Sequence, residues 1–385
     1  MKILIDMTFV SPKSMHQSLP IAVMRMLGGV PKEDRSKLKL LFDTGCAGML
    51  HEMFPDYEYM TVNVRNMRSL YYDPRKFLVP FAFRRAINHS GCDAVFFTTD
   101  GSRYARFKLK IPTVVEINDL KWLKQDTQKK KISLRSLALD LLSGSNYKRY
   151  KNTVERATLI TTISQYTKED LLNFFPQIPS DKVHVIYLSV PLIDGSRKPN
   201  GLPEGENYIL NVNTIAEFKN PLTLLKAFYS IKKQYDGKLV MVGRETTYWN
   251  EVLVPFIKEN DLEERVIHLQ NLEETEIRYL YEHADLFVTP SLHEGFGFTP
   301  VEAAIYGCPV VSSRSESLPE ATMELVKYYE PATDENELCK AIVEILKNPP
   351  TKAQKDKVSS IFLDRYTASN HAKKLLDLFE HLNIY

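Results

Sequence analysis

The fold is decided by the stretch Pro290-Ser-Leu-His-Glu-Gly-Phe-Gly-Phe-Thr-Pro-Val-Glu-Ala-Ala-Ile-Tyr-Gly-Cys-Pro-Val-Val-Ser-Ser313. An apolar run precedes its glycine-rich loop, and the loop leads into a helical pattern and a second apolar run, which predicts strand, loop, helix and strand. Gly295 and Gly297 lack a Cβ, so the loop backbone can approach a ligand closely. The stretch therefore predicts a parallel α/β sheet with a ligand-binding loop at its edge.

The helix that follows the loop is predicted to point its N-terminus at this ligand. Thr299 is a good N-cap and Pro300 suits the first helical position. Gly307 can end the helix in a left-handed conformation. The free N–H groups of the first turn and the positive end of the helix dipole would face the loop, which predicts a phosphate or diphosphate ligand.

Two glutamates flank the loop, and their spacing resembles that of a known family. Glu294 and Glu302, with seven residues between them, resemble the paired glutamates of retaining glycosyltransferases of the GT-B fold, and glycosyltransferase family 4 (group 1) in particular. Further segments resemble the donor domain of that family, namely 239–243, 265–269 and 317–320. The resemblance is strong over 208–346 and thinner in the N-terminal half.

The resemblance implies an α/β architecture of two Rossmann-like domains facing each other across a cleft. Residues 1–192 would form the acceptor-side domain and residues 193–366 the nucleotide-sugar donor side, with a linker rich in proline, glycine and charge at 191–205. The last helix would cross back to the first domain, so 367–385 joins that domain. The length of 385 residues, 44% of them hydrophobic, also favours two domains.

Apolar runs that alternate with helical patterns predict eleven strands of parallel sheets. In the first half these are 2–5, 39–42, 94–98, 113–117, 159–163 and 183–187. In the second half they are 208–212, 238–242, 266–269, 286–289 and 310–312. A helix is predicted over 168–175.

By the resemblance, the two glutamates bind different parts of a nucleotide sugar. Glu294 would hold hydroxyls of the donor sugar and Glu302 the ribose, and the loop backbone would take the diphosphate. The loop residues concerned are Gly295, Phe296, Gly297, Phe298 and Thr299. A second interpretation of Glu302 stays open, because Thr299 and Glu302 also match a capping box, in which the glutamate only starts a helix.

A second part of the site is predicted at 212–221, where a strand and a loop lead into a helix that begins near Pro221. This pattern places Lys219 at a helix N-terminus. A lysine there would offset the charge of a departing diphosphate, and Lys219 matches the donor-phosphate lysine of the family. Asn213 and Thr214, at the end of the strand, are further donor-site candidates.

The arginine that the family usually has close before this lysine is absent. Thr214 stands five residues ahead of Lys219, and Phe218 directly precedes it. Arg244, just after the strand 238–242, could supply the guanidinium from a neighbouring loop. It could equally be a solvated surface arginine, and both interpretations stay open.

The first domain departs further from the family. The loop after the first strand, 7–18, contains no glycine. Asn118 stands where the His-Asp segment facing the donor sugar has histidine, and asparagine cannot titrate. Asp119 is then the candidate for proton transfer, or else a buried aspartate that caps the following turn. Ser164 resembles a serine lining the cleft, or serves only as an N-cap.

Composition narrows the class of protein. The net charge of +2 gives no general argument for nucleic acid. Four cysteines without a metal or disulfide pattern favour a reducing compartment. No signal peptide or membrane-length apolar run is recognised, which predicts a cytoplasmic protein. The basic run 121–135 is either a peripheral contact with the inner face of the membrane or a solvated surface.

The sequence thus predicts a retaining hexosyltransferase that moves a sugar from a nucleoside diphosphate sugar to a glycan or lipid-linked acceptor. Surface polysaccharide or lipopolysaccharide biosynthesis is the expected setting, and the region 317–320 favours a mannosyl-type donor. Because the chain has no Asp-x-Asp pair, the reaction is predicted to need no metal and no cofactor. The alternatives are a nucleotide-sugar isomerase of the same architecture and a non-catalytic nucleotide-sugar or glycan-binding protein.

Overall fold

The chain forms two compact units, each built on its own parallel sheet. The computed structural model describes residues 1–15, 18–63, 79–99, 108–121, 123–124 and 146–382. The first unit comprises Met1–Ser189 with Thr367–Tyr385, and the second comprises Val190–Tyr366. The predicted boundary after residue 192 lies three residues beyond this division.

The first unit contains a seven-stranded sheet with the order β3-β2-β1-β4-β5-β6-β7. Neighbouring strands pair in parallel throughout. The strands are β1 (Ile3–Asp6), β2 (Leu38–Asp43), β3 (Glu58–Val62), β4 (Ala94–Phe97), β5 (Thr113–Ile117), β6 (Leu159–Thr162) and β7 (Val183–Val185). The strand order changes direction between β1 and β4.

The second unit contains a six-stranded parallel sheet with the order β10-β9-β8-β11-β12-β13. Its strands are β8 (Tyr208–Val212), β9 (Lys238–Val242), β10 (Val266–Leu269), β11 (Leu286–Thr289), β12 (Val310–Ser313) and β13 (Lys327–Tyr329). The chain first builds outward from β8 to β10 and then returns to place β11 on the other side of β8. The strand order therefore reverses between β8 and β11.

Helices connect the strands, as parallel sheets require. Those of the first unit are α1 (Ser18–Gly28), α2 (Ala47–Met53), α3 (Val79–Asn88), α4 (Asn146–Arg156), α5 (Gln165–Phe174) and the last helix α13 (Ala368–Glu380). Those of the second are α6 (Pro221–Ile231), α7 (Val254–Glu259), α8 (Glu274–His283), α9 (Phe298–Ile305), α10 (Leu318–Ala321), α11 (Glu335–Lys347) and α12 (Lys352–Arg365). Across the described ranges, no helix combines the length and apolarity needed to cross a bilayer.

The last helix packs on the first unit, as predicted. Leu375 and Phe379 belong to the same core cluster as strands β1, β2 and β4, and the Phe379 ring meets Phe96 edge-on at 6.0 Å between centroids. A Cβ on Gly29 would lie 2.2 Å from the backbone carbon of Ala368, so only glycine permits this close approach of α1 and α13. The contact explains why residues far apart in sequence form one unit.

The two strands that the sequence patterns did not predict both lie at sheet edges. β3 exposes most of its side chains, and β13 has only three residues. An edge strand has a neighbouring strand on one side only and is less buried than a central strand. It therefore needs no continuous apolar run. The predicted strands match the observed ones within two residues at their ends.

Helix α13 carries a buried histidine that makes stability depend on pH. His371 is 4% exposed, and within the described ranges its Nδ1 atom has no hydrogen-bond partner. Burial lowers the pKa of His371 to about 4, because the charged imidazolium is poorly solvated there. The folded chain therefore holds this side chain neutral under mildly acidic conditions.

We expect the folded chain to lose stability as the pH falls from 6.5 through about 4, because the unfolded chain binds a proton at His371 first. At about 1.4 kcal/mol per pKa unit, the loss is about 3 kcal/mol at most. Urea unfolding at acidic and neutral pH should show a smaller difference for His371→Met than for the wild type. The control is His381→Gln, at the exposed end of the same helix; equal pH slopes in wild type and His371→Met would contradict the assignment.

Candidate functional site

The loops that follow β8 and β11 form the candidate site of the second unit. The two strands are neighbours although two other strands lie between them in the chain. Their connections leave in opposite directions, which opens a crevice at the carboxyl ends of the strands, where open α/β sheets bind ligands. Lys219 follows β8 and Glu294 follows β11, so both predicted site residues lie at this point of reversal.

The structure brings Lys219 and Glu294 into direct contact. Lys219 Nζ lies 2.5 Å from Glu294 Oε1, and the two side chains are 14% and 12% exposed. A charge-assisted hydrogen bond of this length is strong, and its removal from water strengthens the attraction further. Two residues that the sequence assigned through separate motifs therefore form one ion pair.

The lysine is placed by a short turn and a left-handed asparagine. A 3-10 turn at Glu217–Lys219 precedes α6, and Pro221 occupies the first turn of that helix, as predicted. Asn220 has φ 56° and is 8% exposed. Its Nδ2 donates to the carbonyl oxygens of Pro290, at 3.1 Å, and Ala332, at 2.8 Å. The first bond ties the loop after β8 to the loop after β11, and the second ties it to the segment after β13.

The glutamate is placed by the segment that follows β12. The Glu294 N–H donates to Glu316 Oε2 at 2.8 Å, and Glu316 Oε1 lies 3.0 Å from Nδ1 of His293. Glu316 itself has φ 49°, a left-handed conformation. The buried Ser317 hydroxyl lies 2.8 Å from the carbonyl oxygen of Glu294 and 3.1 Å from that of Phe296. The loop is thus held on both sides of the glutamate.

Helix α9 begins two residues earlier than the sequence predicted. The residue that flanks it is Gly297, with φ 104°, and a Cβ there would lie 2.9 Å from Leu318 Cδ2. Thr299 lies inside the first turn, so its predicted role as N-cap was wrong; the glycine takes the sharp bend that the close packing requires. At the other end Gly307, with φ 78°, confirms the predicted left-handed stop. Phe298 and Thr299 supply first-turn amides, which have no acceptor within a helix.

Glu302 is held by a side chain of the preceding helix. Tyr281 is fully buried, and its hydroxyl donates to Glu302 Oε2 at 3.1 Å. Burial, and then the neighbouring Glu302 carboxylate, raises the pKa of Tyr281. The capping-box interpretation placed the N-cap at Thr299, whereas the N-cap in the structure is Gly297. Glu302 is therefore oriented by a tyrosine on α8.

Three further donor-site candidates lie at the ends of β8 and β9. A Cβ on Gly243 would lie 2.1 Å from the carbonyl oxygen of Asn213, so the two strand ends approach closely. Asn213 Nδ2 donates to Ser291 Oγ at 3.4 Å, which links it to the loop after β11. Thr214 and Arg244 are exposed. Arg244 thus lies one strand away from Lys219 with its guanidinium open to solvent.

The first unit places its candidates directly after β5. Asp119 is exposed, and its Oδ1 accepts from the Lys121 N–H at 3.1 Å, so it does cap the following turn but is not buried. Asn118 Oδ1 is buried and lacks a hydrogen-bond partner among the described residues. Ser164 Oγ accepts from the Thr167 N–H at 3.0 Å and caps α5, which confirms its N-cap interpretation.

Only part of the basic run 121–135 falls within the described ranges. Lys124 Nζ donates to the Tyr166 hydroxyl at 2.7 Å and pairs with Asp170 Oδ2 at 2.5 Å. This lysine is therefore engaged by α5. Residues 122 and 125–135 lie outside the described residues, as do His16 and Gln17 of the first loop.

Two family models match the chain in series. The model described as Glycosyltransferase Family 4 matches residues 50–192, and the model described as Glycosyl transferases group 1 matches residues 193–382. Together they cover most of the chain, and their junction falls three residues beyond the division between the two units. The chain belongs to glycosyltransferase family 4.

Curated relatives of this glycosyltransferase include two O-antigen enzymes. The chain is 32% identical over 165 residues to the O-antigen chain mannosyltransferase RfbU of Salmonella typhimurium, which covers 42% of this chain and 44% of the relative. It is 28% identical over 182 residues to the O-antigen chain mannosyltransferase B of Escherichia coli, which covers 45% and 48%. Each match spans less than half of the relative's own length.

Solved structures share the architecture over the whole length. HepE of Anabaena in complex with UDP has a TM-score of 0.71 at 18% identity, with 99% of this chain and 100% of that chain covered. WaaG, a glycosyltransferase involved in lipopolysaccharide biosynthesis, has a TM-score of 0.67 at 16% identity, with 98% and 100% covered. At these identities the likeness shows the fold, and that fold is GT-B as the sequence predicted.

Some residues that build the site of this glycosyltransferase carry no sequence signal. Tyr281 lies 21 positions before Glu302, and Glu316 lies 22 positions after Glu294. Neither stands in a motif whose spacing predicts the contact. Asn220 directly before Pro221 did have a signal, because asparagine tolerates the left-handed region and proline favours the first helical turn.

We expect Ser317→Ala to loosen the Glu294 loop, because it leaves two carbonyl oxygens without their shared hydroxyl. The loss should lower the free energy of unfolding by about 1 kcal/mol, measured by urea unfolding. Ser230→Ala is the matched control, since its hydroxyl bonds only to the Lys226 carbonyl on an exposed helix face. A Ser317→Ala effect no larger than that of Ser230→Ala would show that the hydroxyl does not hold the loop.

Proposed function

We propose that the protein transfers a hexosyl group from a nucleoside diphosphate sugar to a glycan or lipid-linked acceptor, with retention at the anomeric carbon and without a metal ion. The Lys219–Glu294 pair at the reversal of the second sheet carries this proposal. In this pair a cation that suits a phosphate is hydrogen-bonded to a carboxylate that suits sugar hydroxyls. The helix α9 adds first-turn amides beside them.

The chemistry follows from where charge develops. Departure of a nucleoside diphosphate leaves negative charge on the β-phosphate, while the sugar passes through an oxocarbenium-like state. Lys219 at the start of α6 and the amides of Phe298 and Thr299 would stabilise that leaving group. Glu294 would orient the sugar by accepting from its hydroxyls, and Glu302, held by Tyr281, would accept from the ribose. Arg244 is proposed as a further phosphate ligand.

The first unit would contribute the acceptor side of the reaction. Asn118 and Asp119 directly follow β5 at the carboxyl edge of its sheet, where ligands of such sheets bind. Asp119 is exposed, its Oδ1 accepts from the Lys121 N–H, and it is proposed to meet an acceptor hydroxyl. The named relatives favour a mannosyl donor and an O-antigen or related polysaccharide acceptor.

The proposed place of action is the cytoplasm, at the inner face of the membrane where lipid-linked acceptors are presented. The basic run 121–135 is the proposed contact. Lys124 would take no part, because Asp170 already pairs with it.

We expect Lys219→Ala and Glu294→Ala each to lower turnover by at least about 100-fold, because each removes a group that acts on the leaving phosphate or the sugar. Calorimetry with UDP-, GDP-, dTDP- and ADP-sugars, with and without a chelator, identifies the donor and tests the need for a metal. Lys226→Ala, on the same helix with only a 3.9 Å contact to Glu335, is the control. Wild-type turnover in both site variants would refute the site, and acceptor-free epimer formation would establish an isomerase instead.

Glu302→Gln should weaken binding of the free nucleoside diphosphate about tenfold without unfolding α9, because an amide keeps the Tyr281 bond but contacts ribose hydroxyls less strongly. Calorimetry gives the affinity and thermal unfolding gives the stability. Tyr281→Phe is the companion variant, since it removes the hydrogen bond from Tyr281 while leaving the charge of Glu302. An unchanged affinity in Glu302→Gln would remove Glu302 from the nucleotide site.

A further inference from the structure

Buried polar atoms without partners concentrate in the first unit. Within the described ranges five buried side-chain atoms of this unit lack a hydrogen-bond partner. They include Glu116 Oε1, Asn118 Oδ1 and Thr161 Oγ1, which lie on or directly after the neighbouring strands β5 and β6. A buried polar group left unpaired is costly, so such a cluster needs a physical reason.

The register of the sheet places these groups side by side. Glu116 pairs with Thr161, and Thr161 pairs with His184, so the three form one row across β5, β6 and β7. We call these three residues the polar row. Side chains at paired positions of parallel strands point to the same face, and alternation along β5 places Glu116 on the side of Val114. Val114 belongs to the core that α1 and α13 cover.

Within the described ranges no basic side chain forms an ion pair or hydrogen bond that would balance a Glu116 carboxylate. The titratable or charged side chains on the elements of this face are His184 in the polar row, Arg25 on α1 and the buried His371 on α13. Burial lowers the pKa of both histidines, with the charge of Lys168 as a second cause for His184. The other charged residues of α13 are exposed. Glu116 is 2% exposed, and burial alone raises its pKa to about 8.

Two acceptor oxygens without donors are explained by one proton. Asn118 is the first residue past β5 and follows Glu116 by two positions, so the next side chain on the same side of the strand is the amide. A carboxylic acid has one O–H donor, which a carboxylate lacks. If Glu116 carries that proton, both its own orphaned oxygen and Asn118 Oδ1 gain a partner.

We propose that Glu116 is a positioning residue: as a neutral carboxylic acid it donates a hydrogen bond to the Asn118 amide oxygen, directly or through one water molecule, and so directs the Asn118 NH2 group toward the sugar substrate. The sugar part of this inference rests on the proposed function. An asparagine whose oxygen is bound can present only donors to a ligand, and sugar hydroxyls accept such bonds. The role of asparagine at position 118, where the family has histidine, thereby depends on a second residue inside the sheet, Glu116.

The variants separate positioning from packing. Glu116→Gln keeps a donor for Asn118 without a titrating proton, and Glu116→Met removes the donor while filling a similar volume. We expect Glu116→Met to raise the KM for the sugar substrate about tenfold with a smaller change in kcat, and Glu116→Gln to stay within about twofold of the wild type. Thr161→Val, a neighbour in the polar row with an orphaned hydroxyl, is the matched control and should leave KM unchanged.

The pH profile supplies a readout that packing would not move. In the wild type KM should rise as the pH passes through about 8, because Glu116 then loses its proton. Glu116→Gln should show no such rise. Thermal unfolding at each pH verifies that every variant is folded. Wild-type kinetics in Glu116→Met, or the same alkaline rise in Glu116→Gln, would overturn the proposal.

A measurement without substrate distinguishes this proposal from the proposed function. In protein labelled with 15N-asparagine, the Asn118 side-chain NH2 signals, assigned by their loss in Asn118→Ser, should shift with a midpoint at about pH 8. The shift should vanish in Glu116→Gln. Asn118 signals that do not change with pH in the wild type would contradict the proposed hydrogen bond. If the titration is present but no nucleotide sugar binds, the hydrogen bond stands and the assignment of the substrate fails.

Discussion

The reversal of strand order between β8 and β11 is the constraint on which the candidate site depends. Parallel strands end at one edge of their sheet, and only at a reversal do the two following loops diverge and leave a crevice. Lys219 and Glu294 occupy those two loops. The hydrogen bond of Asn220 to the Pro290 carbonyl then fixes the two loops to each other, and its bond to the Ala332 carbonyl adds the segment after β13. The ammonium and the carboxylate thus meet at 2.5 Å.

The Lys219–Glu294 ion pair in this crevice is suited to an exchange of partners, in which each charge leaves the other for a group of a ligand. A pair that is mostly removed from water is costly to break unless each charge finds a new partner at once. A donor molecule offers both, since its diphosphate can take the lysine and its hydroxyls can donate to Glu294. The other two carboxylates are already committed to hydrogen bonds, Glu302 to Tyr281 and Glu316 to the Glu294 N–H. Negative charge near the proposed phosphate site is thereby held in fixed positions.

The two units differ in how their buried polar groups are accommodated. In the second, the loop around the site is held by hydrogen bonds such as those of Ser317 and Asn220. The first unit buries Glu116 and His371, and burial shifts the pKa of both toward the neutral form. Low polarity makes unpaired groups expensive, so their retention in a stable sheet is expected where they contribute to binding.

The sequence by itself determined the alternation of strands and helices, the two-domain division and the identity of Lys219, Glu294 and Glu302 as candidates. The alternation follows from apolar periodicity and from glycine and proline at fixed offsets, which act over a few residues, and the division follows from chain length and the linker composition. The three site candidates rest on the resemblance to glycosyltransferase family 4. Only the tertiary structure decided that Gly297 rather than Thr299 precedes α9, that β3 and β13 complete the sheets, and that Tyr281 and Glu316 orient the site. It alone placed Glu116 beside Thr161 in a buried row. Such contacts join distant segments, because strand order and register are set by packing of whole elements and leave no mark in local spacing.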